Sequence, residues 1–461
     1  MFVGREKELQ KLNELYRSDR FEFAVIYGRR RVGKTTLINE FVKDKDTIYF
    51  TALETSAQDN LENFSQSIFS IQQEEQTAPV YKNFKDALNA IDEKAKEKRI
   101  VLVIDEFPYL AYSYSAISSL LQVQIDQRFK KGKLFLILCG SSMSFMENQV
   151  LGYKSPLYGR RTVQFKINPF DFYETCAYFH RFQHMELAQI YGMTGGVPQY
   201  LEHIDENCSL EDNIKSNYLN SSAYFFEEPS NLLKQEVREP ALYNAIITAI
   251  ATGSSKNNEI ATKVGMETGA LATYLNNLIS LGIVKKEHPI NEPSVRKTIY
   301  SIEDHMFRFW YRFIPQNASL IQRGNTETAY QKIEGQISEF MGKVFEDICK
   351  QWLWRENSKG TLPVLFTEAG RWWGNNPEKR SEAEIDLLAF DGNESAIFGE
   401  CKWTNQRVGT ELIDKLIALS NLFHFKKEYY YLFAKTGFTK GCIEKAEEMG
   451  NVTLIKFANM K

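Results

Sequence analysis

The chain has 461 residues, a formal net charge of −3, and ordinary apolar and charged fractions of 43% and 25%, so two to four globular domains are expected. No N-terminal signal pattern and no long uncharged apolar segment occurs, and the six cysteines and six histidines are scattered. A membrane span, secretion and a zinc site are therefore not expected, a cytoplasmic protein is, and any nucleic-acid contact must come from local basic patches.

Near the start, the apolar run Phe21 to Tyr27 predicts a strand, and Leu37 to Val42 a helix. Between them stands Gly28-Arg29-Arg30-Arg31-Val32-Gly33-Lys34-Thr35-Thr36. Strand, glycine loop and helix is the setting a phosphate-binding loop requires. Gly28 and Gly33 let backbone N–H groups turn inward on phosphates, and the helix directs its positive end at the anion. Lys34 would reach the β- and γ-phosphates, and Thr35 would ligate Mg²⁺. ATP and Mg²⁺ are the expected cofactors.

A second strand is expected at Thr47 to Thr51, followed by two helical stretches. Arg99 to Phe107 reads RIVLVIDEF, an apolar strand ending in two acids. Asp105 would hold the Mg²⁺ shell, and Glu106 would orient or deprotonate the attacking water. The strand Leu134 to Cys139 exits into Gly140-Ser141-Ser142, where a polar side chain either reads the γ-phosphate or makes an ordinary turn. Arg160 and Arg161 in YGRRTVQF allow two readings, an arginine finger in cis or from a neighbouring subunit, or a solvated pair. GGVPQYL, Gly195 to Leu201, is strong turn punctuation closing a small helical lid.

These motifs, with FVGRE at Phe2 to Glu6, together resemble the archaeal-type ATPase family, in the signal-transduction branch of the AAA-like P-loop ATPases. The resemblance covers roughly residues 1 to 225. It implies a parallel-sheet ATPase domain with a helical lid, and makes Gly4-Arg5 part of the adenine or hinge region.

Helices are expected at Pro240 to Ala251, Asn257 to Val264 and Glu267 to Leu281, then strands from Ile283 and over Thr298 to Ile302. Three helices and a hairpin is the winged-helix pattern. The third helix would face the core with Leu271, Leu275, Leu278 and Ile279, and present Thr268, Thr273, Asn276 and Asn277. Lys285, Lys286, Arg296 and Lys297, around a wing loop with Pro289 and Pro293, would touch DNA phosphates. A packing module without DNA contact is the other reading. Met306 to Phe313, MFRFWYRF, fits aromatic packing of a linking helix better than base stacking.

Gln316 to Gln331 reads as a linker, and Gln336 to Trp352 as a helix with the stripe Phe340, Val344, Phe345, Ile348 and Trp352 and with Glu346 beside it. Ser381 to Phe390 and Ser395 to Trp403 predict a hairpin around Asp391-Gly392-Asn393. Glu400 and Lys402 share one face of the second strand, and Asp386 approaches that face from the first. Such carboxylates are costly to bury without a cation. Asp386 and Glu400 would be Mg²⁺ ligands, Glu346 would complete the shell through water, and Lys402 would activate water or stabilise phosphorane-like charge.

Asp then Glu-x-Lys, with a preceding helical Glu and a following helix at Thr410 to Leu422, resembles the PD-(D/E)XK nuclease superfamily, with Ile385-Asp386 in place of Pro-Asp. The arrangement over 235 to 461 also resembles the domain that often follows archaeal-type ATPase domains. Arg371-Trp372-Trp373 and Lys379-Arg380 either grip nucleic acid or form a surface loop.

The expected class is α/β. It comprises a P-loop parallel-sheet ATPase core (1–168), a helical lid (169–232), a winged helix (233–315), a linker (316–332) and a restriction-endonuclease-like α/β domain (333–461). The expected function is an ATP-hydrolysing switch over a metal-dependent nuclease acting on DNA. The alternatives are a non-cleaving scaffold that binds DNA or protein, and a transcription regulator. A homo-oligomer or a protein partner is compatible with all three.

Overall fold

The computed structural model describes residues 2–69, 79–292, 297–377, 380–392 and 394–461. Pro293, Arg296, Lys379 and Asn393, named above, lie outside the described residues. Two compact units are formed, residues 1–170 with 197–200, and residues 171–196 with 201–461.

The first unit is built on five strands, β1 (Glu22–Tyr27), β2 (Thr47–Thr51), β3 (Ile100–Asp105), β4 (Leu134–Gly140) and β5 (Val163–Lys166). They pair in parallel in the order β2-β3-β4-β1-β5. Every residue of β1, β3 and β4 is buried. A parallel sheet covered on both faces demands that, and explains why these strands read as unbroken apolar runs. Phe23, Val25, Leu102 and Leu136 point to one core, and Ala24, Ile26, Val101 and Phe135 to the other. The loops after β1, β3 and β4 all leave from carboxyl ends, where open α/β sheets bind ligands.

The second unit begins with helices, among them Phe172–Tyr178, His184–Thr194, Leu210–Tyr218 and Tyr224–Glu236. Gly195 ends the second of these at φ 64°, which is the turn role expected of the Gly-Gly pair. Helices Pro240–Ala251, Asn257–Val264 and Thr268–Ser280 follow, with a ribbon of β6 (Val284–Glu287) and β7 (Ile299–Ile302). Leu271, Leu275 and Leu278 are buried, and Thr268, Thr273, Asn276 and Asn277 are exposed.

Helix His305–Gln322 buries Met306, Phe307, Phe309, Tyr311 and Phe313, and the Trp310 indole N–H donates to the Phe226 carbonyl at 2.9 Å. These rings are packing groups and not a base-stacking surface. The expected linker is also corrected. This helix runs past Pro315 to Gln322, and the next, Thr326–Lys359, starts after a three-residue turn and extends for 34 residues. Buried Asn317, Ile321, Ala329, Tyr330 and Ile333 anchor the stretch. Its polar residues are the solvent face of helices, which composition alone does not separate from a loop.

A mixed sheet completes the unit, with β8 (Glu368–Asn376), β9 (Ser381–Phe390), β10 (Ser395–Lys402), β11 (Lys427–Ala434) and β12 (Val452–Lys456) in the order β12-β11-β10-β9-β8. β8, β9 and β10 are antiparallel neighbours, and β10, β11 and β12 are parallel. The parallel step from β10 to β11 needs a crossover, supplied by helix Glu411–Ser420. Arg371-Trp372-Trp373 lies on β8, with Trp372 7% exposed, so this stretch is a strand and not a surface loop. Arg380 is exposed.

Candidate functional site

Two clusters of polar side chains are built on the carboxyl ends of strands, one in each unit. In the first unit, Gly33 caps helix Lys34–Val42 at φ 86°, and Arg31 holds φ 74°. A Cβ at Gly28 would lie 2.3 Å from the Ile167 carbonyl oxygen, so only glycine fits there. The loop therefore leads directly into the helix N-terminus, whose free N–H groups suit an anion.

The Lys34 ammonium is buried inside the loop and donates to the carbonyls of Gly28 and Arg29, both at 2.9 Å. Those carbonyls hold the charge where a phosphate would take it over. Thr35 Oγ1 lies 3.4 Å from Asp105 Oδ2, so hydroxyl and carboxylate share one spot at the end of β3. The Tyr49 hydroxyl donates to the same oxygen at 3.0 Å, and burial together with Asp105 holds its pKa far above the usual value. Tyr49 is thus a fixed neutral donor.

Glu106 follows at φ 47°, a left-handed conformation that is strained for a residue with a Cβ. Its Oε2 accepts the Ser141 hydroxyl at 2.9 Å and the Ser141 N–H at 3.2 Å. Among the flanking arginines, Arg30 donates to the Tyr109 hydroxyl at 2.8 Å, and Arg31 lies over the Tyr200 ring at 5.9 Å. Arg160 grips Asp126 with Nε and Nη2 and donates to the Pro156 carbonyl, while Arg161 is half-buried. Val32 is buried, and Thr36 is exposed. Arg5 is 7% exposed, donates to the carbonyls of Val32 and Asn168, and stacks over Phe170. It ties the N-terminal segment to the phosphate loop.

In the second unit the β9–β10 ladder stops at Gly399 opposite Leu387. Beyond that point the Asp386 carboxylate takes the ladder's place and accepts the Cys401 N–H at 2.9 Å. Glu400, 1% exposed, receives the ammonium groups of Lys402 and Lys415, each 2.6 Å from Oε1. Its Oε2 is buried with no partner. Burial lowers the Lys402 pKa, but Glu400 and Asp386 outweigh it and hold the ammonium charged.

Burial and the Glu400 charge raise the pKa of Asp386. Burial and the Asp386 charge push Glu346 up to about 7. Glu346 Oε2 accepts from Lys343 at 2.9 Å and lies 3.8 Å from Arg371 Nε, and Arg371 is bound in turn by Glu384. The expected residues Glu346, Asp386, Glu400 and Lys402 are therefore brought together. Among the described residues, however, no three or more His, Cys, Asp or Glu side chains stand in a preformed metal-binding group. Lysine ammoniums neutralise Glu400 instead.

Lys415 and Lys343 were not singled out for this site, and Arg371 was named only as a flanking contact to nucleic acid. Lys415 projects from the crossover helix, 13 residues beyond Lys402, and no local motif carries it. The basic residues expected on the wing are largely spoken for. Lys285 lies 3.0 Å from Glu287 and 3.9 Å from Asp347, and Lys297 lies 2.5 Å from Glu292. Lys286 is exposed.

Residues 2–204 match the profile of an ATPase domain predominantly from Archaea. Residues 310–413 match a profile of archaeal and bacterial proteins of unknown function. An uncharacterized protein of Methanocaldococcus jannaschii is 36% identical over 405 residues, 87% of this chain and 88% of that protein. An uncharacterized ATP-binding protein of Pyrococcus abyssi is 36% identical over 100 residues, 21% of this chain and 29% of that protein. Among solved structures, the Walker-type ATPase of Pyrococcus abyssi has a similar fold, with TM-score 0.51 and 19% identity over 68% of this chain and 96% of that one. Among the described residues, no helix is long and apolar enough to cross a membrane. The phosphate loop, the acidic strand end and the near full-length relative agree, and the chain belongs to the archaeal-type ATPase family.

Proposed function

We propose that the chain is an ATP-hydrolysing switch controlling a metal-dependent nuclease-like effector that acts on DNA. In the first unit the backbone from Gly28 to Thr36 cradles the phosphates. Lys34 leaves the Gly28 and Arg29 carbonyls for the β- and γ-oxygens. Thr35 and Asp105, already 3.4 Å apart, would hold Mg²⁺. Glu106 orients and deprotonates the attacking water, and Ser141 fixes its carboxylate. Of the two candidate fingers, Arg160 is paired with Asp126, which favours Arg161 for the role.

The observation that carries the effector reading is Glu400. A buried carboxylate oxygen with no partner, beside Asp386 and Lys402, is a site in want of a cation. Asp386 and Glu400 would be direct ligands of Mg²⁺, with Glu346 completing the shell through water. When bound, the metal would supply Lewis acidity and a more acidic water. Lys402, held beside Glu400, would offset the charge that develops on the attacked phosphate. ATP is the control input and phosphodiester cleavage the output.

A second reading has its own observation. Lys402 and Lys415 already neutralise Glu400, and no metal group is preformed, as suits a non-cleaving DNA- or protein-binding scaffold. Incubation with Mg²⁺ or Mn²⁺, ATP and plasmid or branched DNA separates the two. Cleavage that disappears in Glu400→Ala and Lys402→Ala, with ATP hydrolysis retained, supports the nuclease. Lys34→Ala and Glu106→Gln should each lower ATP hydrolysis by about 10²-fold or more. Intact ATP hydrolysis with no cleavage of any nucleic acid selects the scaffold.

A further inference from the structure

The β6–β7 ribbon does not stand free. A cavity of about 300 Å³ lies beneath it. One wall is Lys285, Glu287 and Ser301 from the ribbon, and the other is Glu346, Arg371 and Asp386 from the carboxylate site. Such a volume holds water and small ions. A DNA duplex, broad enough for its major groove to admit a whole α-helix, is too wide to enter it.

The ribbon is fastened to the edge strand β8 by main chain, side chains and charge. The Ile290 N–H donates to the Arg371 carbonyl at 2.9 Å, extending the sheet edge by one bond. The Ile290 side chain packs on the apolar cluster of the mixed sheet, beside Gly370. The Trp373 indole N–H donates to the Lys297 carbonyl at 3.2 Å. Glu287 Oε2 lies 3.7 Å from Arg371 Nη1, and Lys285 lies 3.9 Å from Asp347.

The contact at Arg371 is the telling one. Its guanidinium sits between Glu287 of the ribbon and Glu346 and Glu384 of the site. One side chain thus joins the cover to what it covers. We propose that the ribbon, together with Ile290, forms a lid over the Glu346–Asp386 side of the site, and that a nucleic-acid phosphate reaches these carboxylates only after Ile290 and Glu287 release Arg371.

This inference rests on the nuclease-like reading for its output, but the lid itself can be tested separately. A Cβ at Gly370 would lie 3.5 Å from the Ile290 Cβ, within the span of a disulfide of about 3.5–4.5 Å. The full-length Ile290→Cys/Gly370→Cys protein can therefore be locked by oxidation and freed by reductant. With Mn²⁺, ATP and plasmid DNA, the reduced form is expected to cleave and the oxidised form to lose at least tenfold, while ATP hydrolysis persists and each single variant ignores oxidant. Equal cleavage by both forms overturns the lid and leaves the nuclease standing.

The second measurement needs no cleavage. Thiol labelling of Cys in Ile290→Cys, followed by peptide mass spectrometry, should accelerate at least tenfold when duplex DNA and ATP are added. An unchanged rate overturns the lid whatever the cleavage assay reads. Absence of cleavage in the reduced form, with accelerated labelling, keeps the lid and rejects the nuclease.

Discussion

Ser141 donates twice to one oxygen of Glu106, through its hydroxyl at 2.9 Å and its backbone N–H at 3.2 Å. The end of β4 thereby sets the carboxylate that follows β3. Ser141→Ala removes one bond and leaves the other. A hydrogen bond to a charged group contributes about 1.5–3 kcal/mol, so ATP hydrolysis should fall by about tenfold or more. Nucleotide affinity should fall less than the hydrolysis rate, since the bonds Ser141 makes are to Glu106. Single-turnover hydrolysis and equilibrium nucleotide binding check the two halves.

Gly28→Ala places a methyl against a main-chain carbonyl that cannot swing away. The Ile167 N–H is bonded to the Tyr27 carbonyl at 2.7 Å, which pins that segment. The cost should be about 1–3 kcal/mol of stability in the ATPase unit, with nucleotide binding lost as the loop distorts. Thermal unfolding with and without ATP would show a lower midpoint and no stabilisation by the ligand.

Asp347 faces three neighbours at once, with His305 Nε2 at 3.6 Å, Arg308 Nη2 at 3.2 Å and Lys285 Nζ at 3.9 Å. Burial would raise its pKa, but the Lys285 and Arg308 charges overcome that and hold it well below the ordinary range. Burial and Arg308 push His305 down to about 3, so it stays neutral and accepts from Arg308 at 2.6 Å. Asp347→Asn leaves Arg308 without its carboxylate and Lys285 with Glu287 alone, and should cost about 2 kcal/mol or more. Denaturant unfolding at neutral pH measures it.

Glu346 gives a pH dependence of known sign. Its folded-state pKa, about 7, lies above the unfolded value of 4.5, so between these values the folded chain holds the extra proton. Stability from this group is therefore present at low pH and declines as pH rises through that window. The difference in unfolding free energy between wild type and Glu346→Gln should shift against wild type from pH 5 to pH 8. Equal shifts in both proteins would remove Glu346 as the source. A metal bound there competes with the proton, so Mn²⁺ affinity should strengthen over the same range.

The ATPase site was legible because its parts are local. Gly28 to Thr36 spans strand end, loop and helix start in one contiguous stretch, and Asp105-Glu106 and Ser141 each close an apolar run. The pair Glu400 and Lys402 was legible because strand side chains alternate. Lys415 was not, since the crossover helix brings it back to Glu400 through tertiary packing alone. Strand β8 was hidden because its Gly, Asn and Arg residues have low strand propensity, and pairing with β9 decides its state. The linker was misread because a polar helix face and a polar loop share one composition.

Helix Thr326–Lys359 carries Glu346 and Asp347 at consecutive positions, and successive side chains on a helix diverge by about 100°. The first belongs to the carboxylate site, and the second is clasped by Lys285, His305 and Arg308. A 34-residue helix is a rod about 50 Å long. Torque applied to the rod through the Asp347 clasp turns Glu346 by the same angle, as a key turns both edges of its bit. The orientation of the carboxylate site is in this sense geared to whatever grips the adjacent face of the shaft.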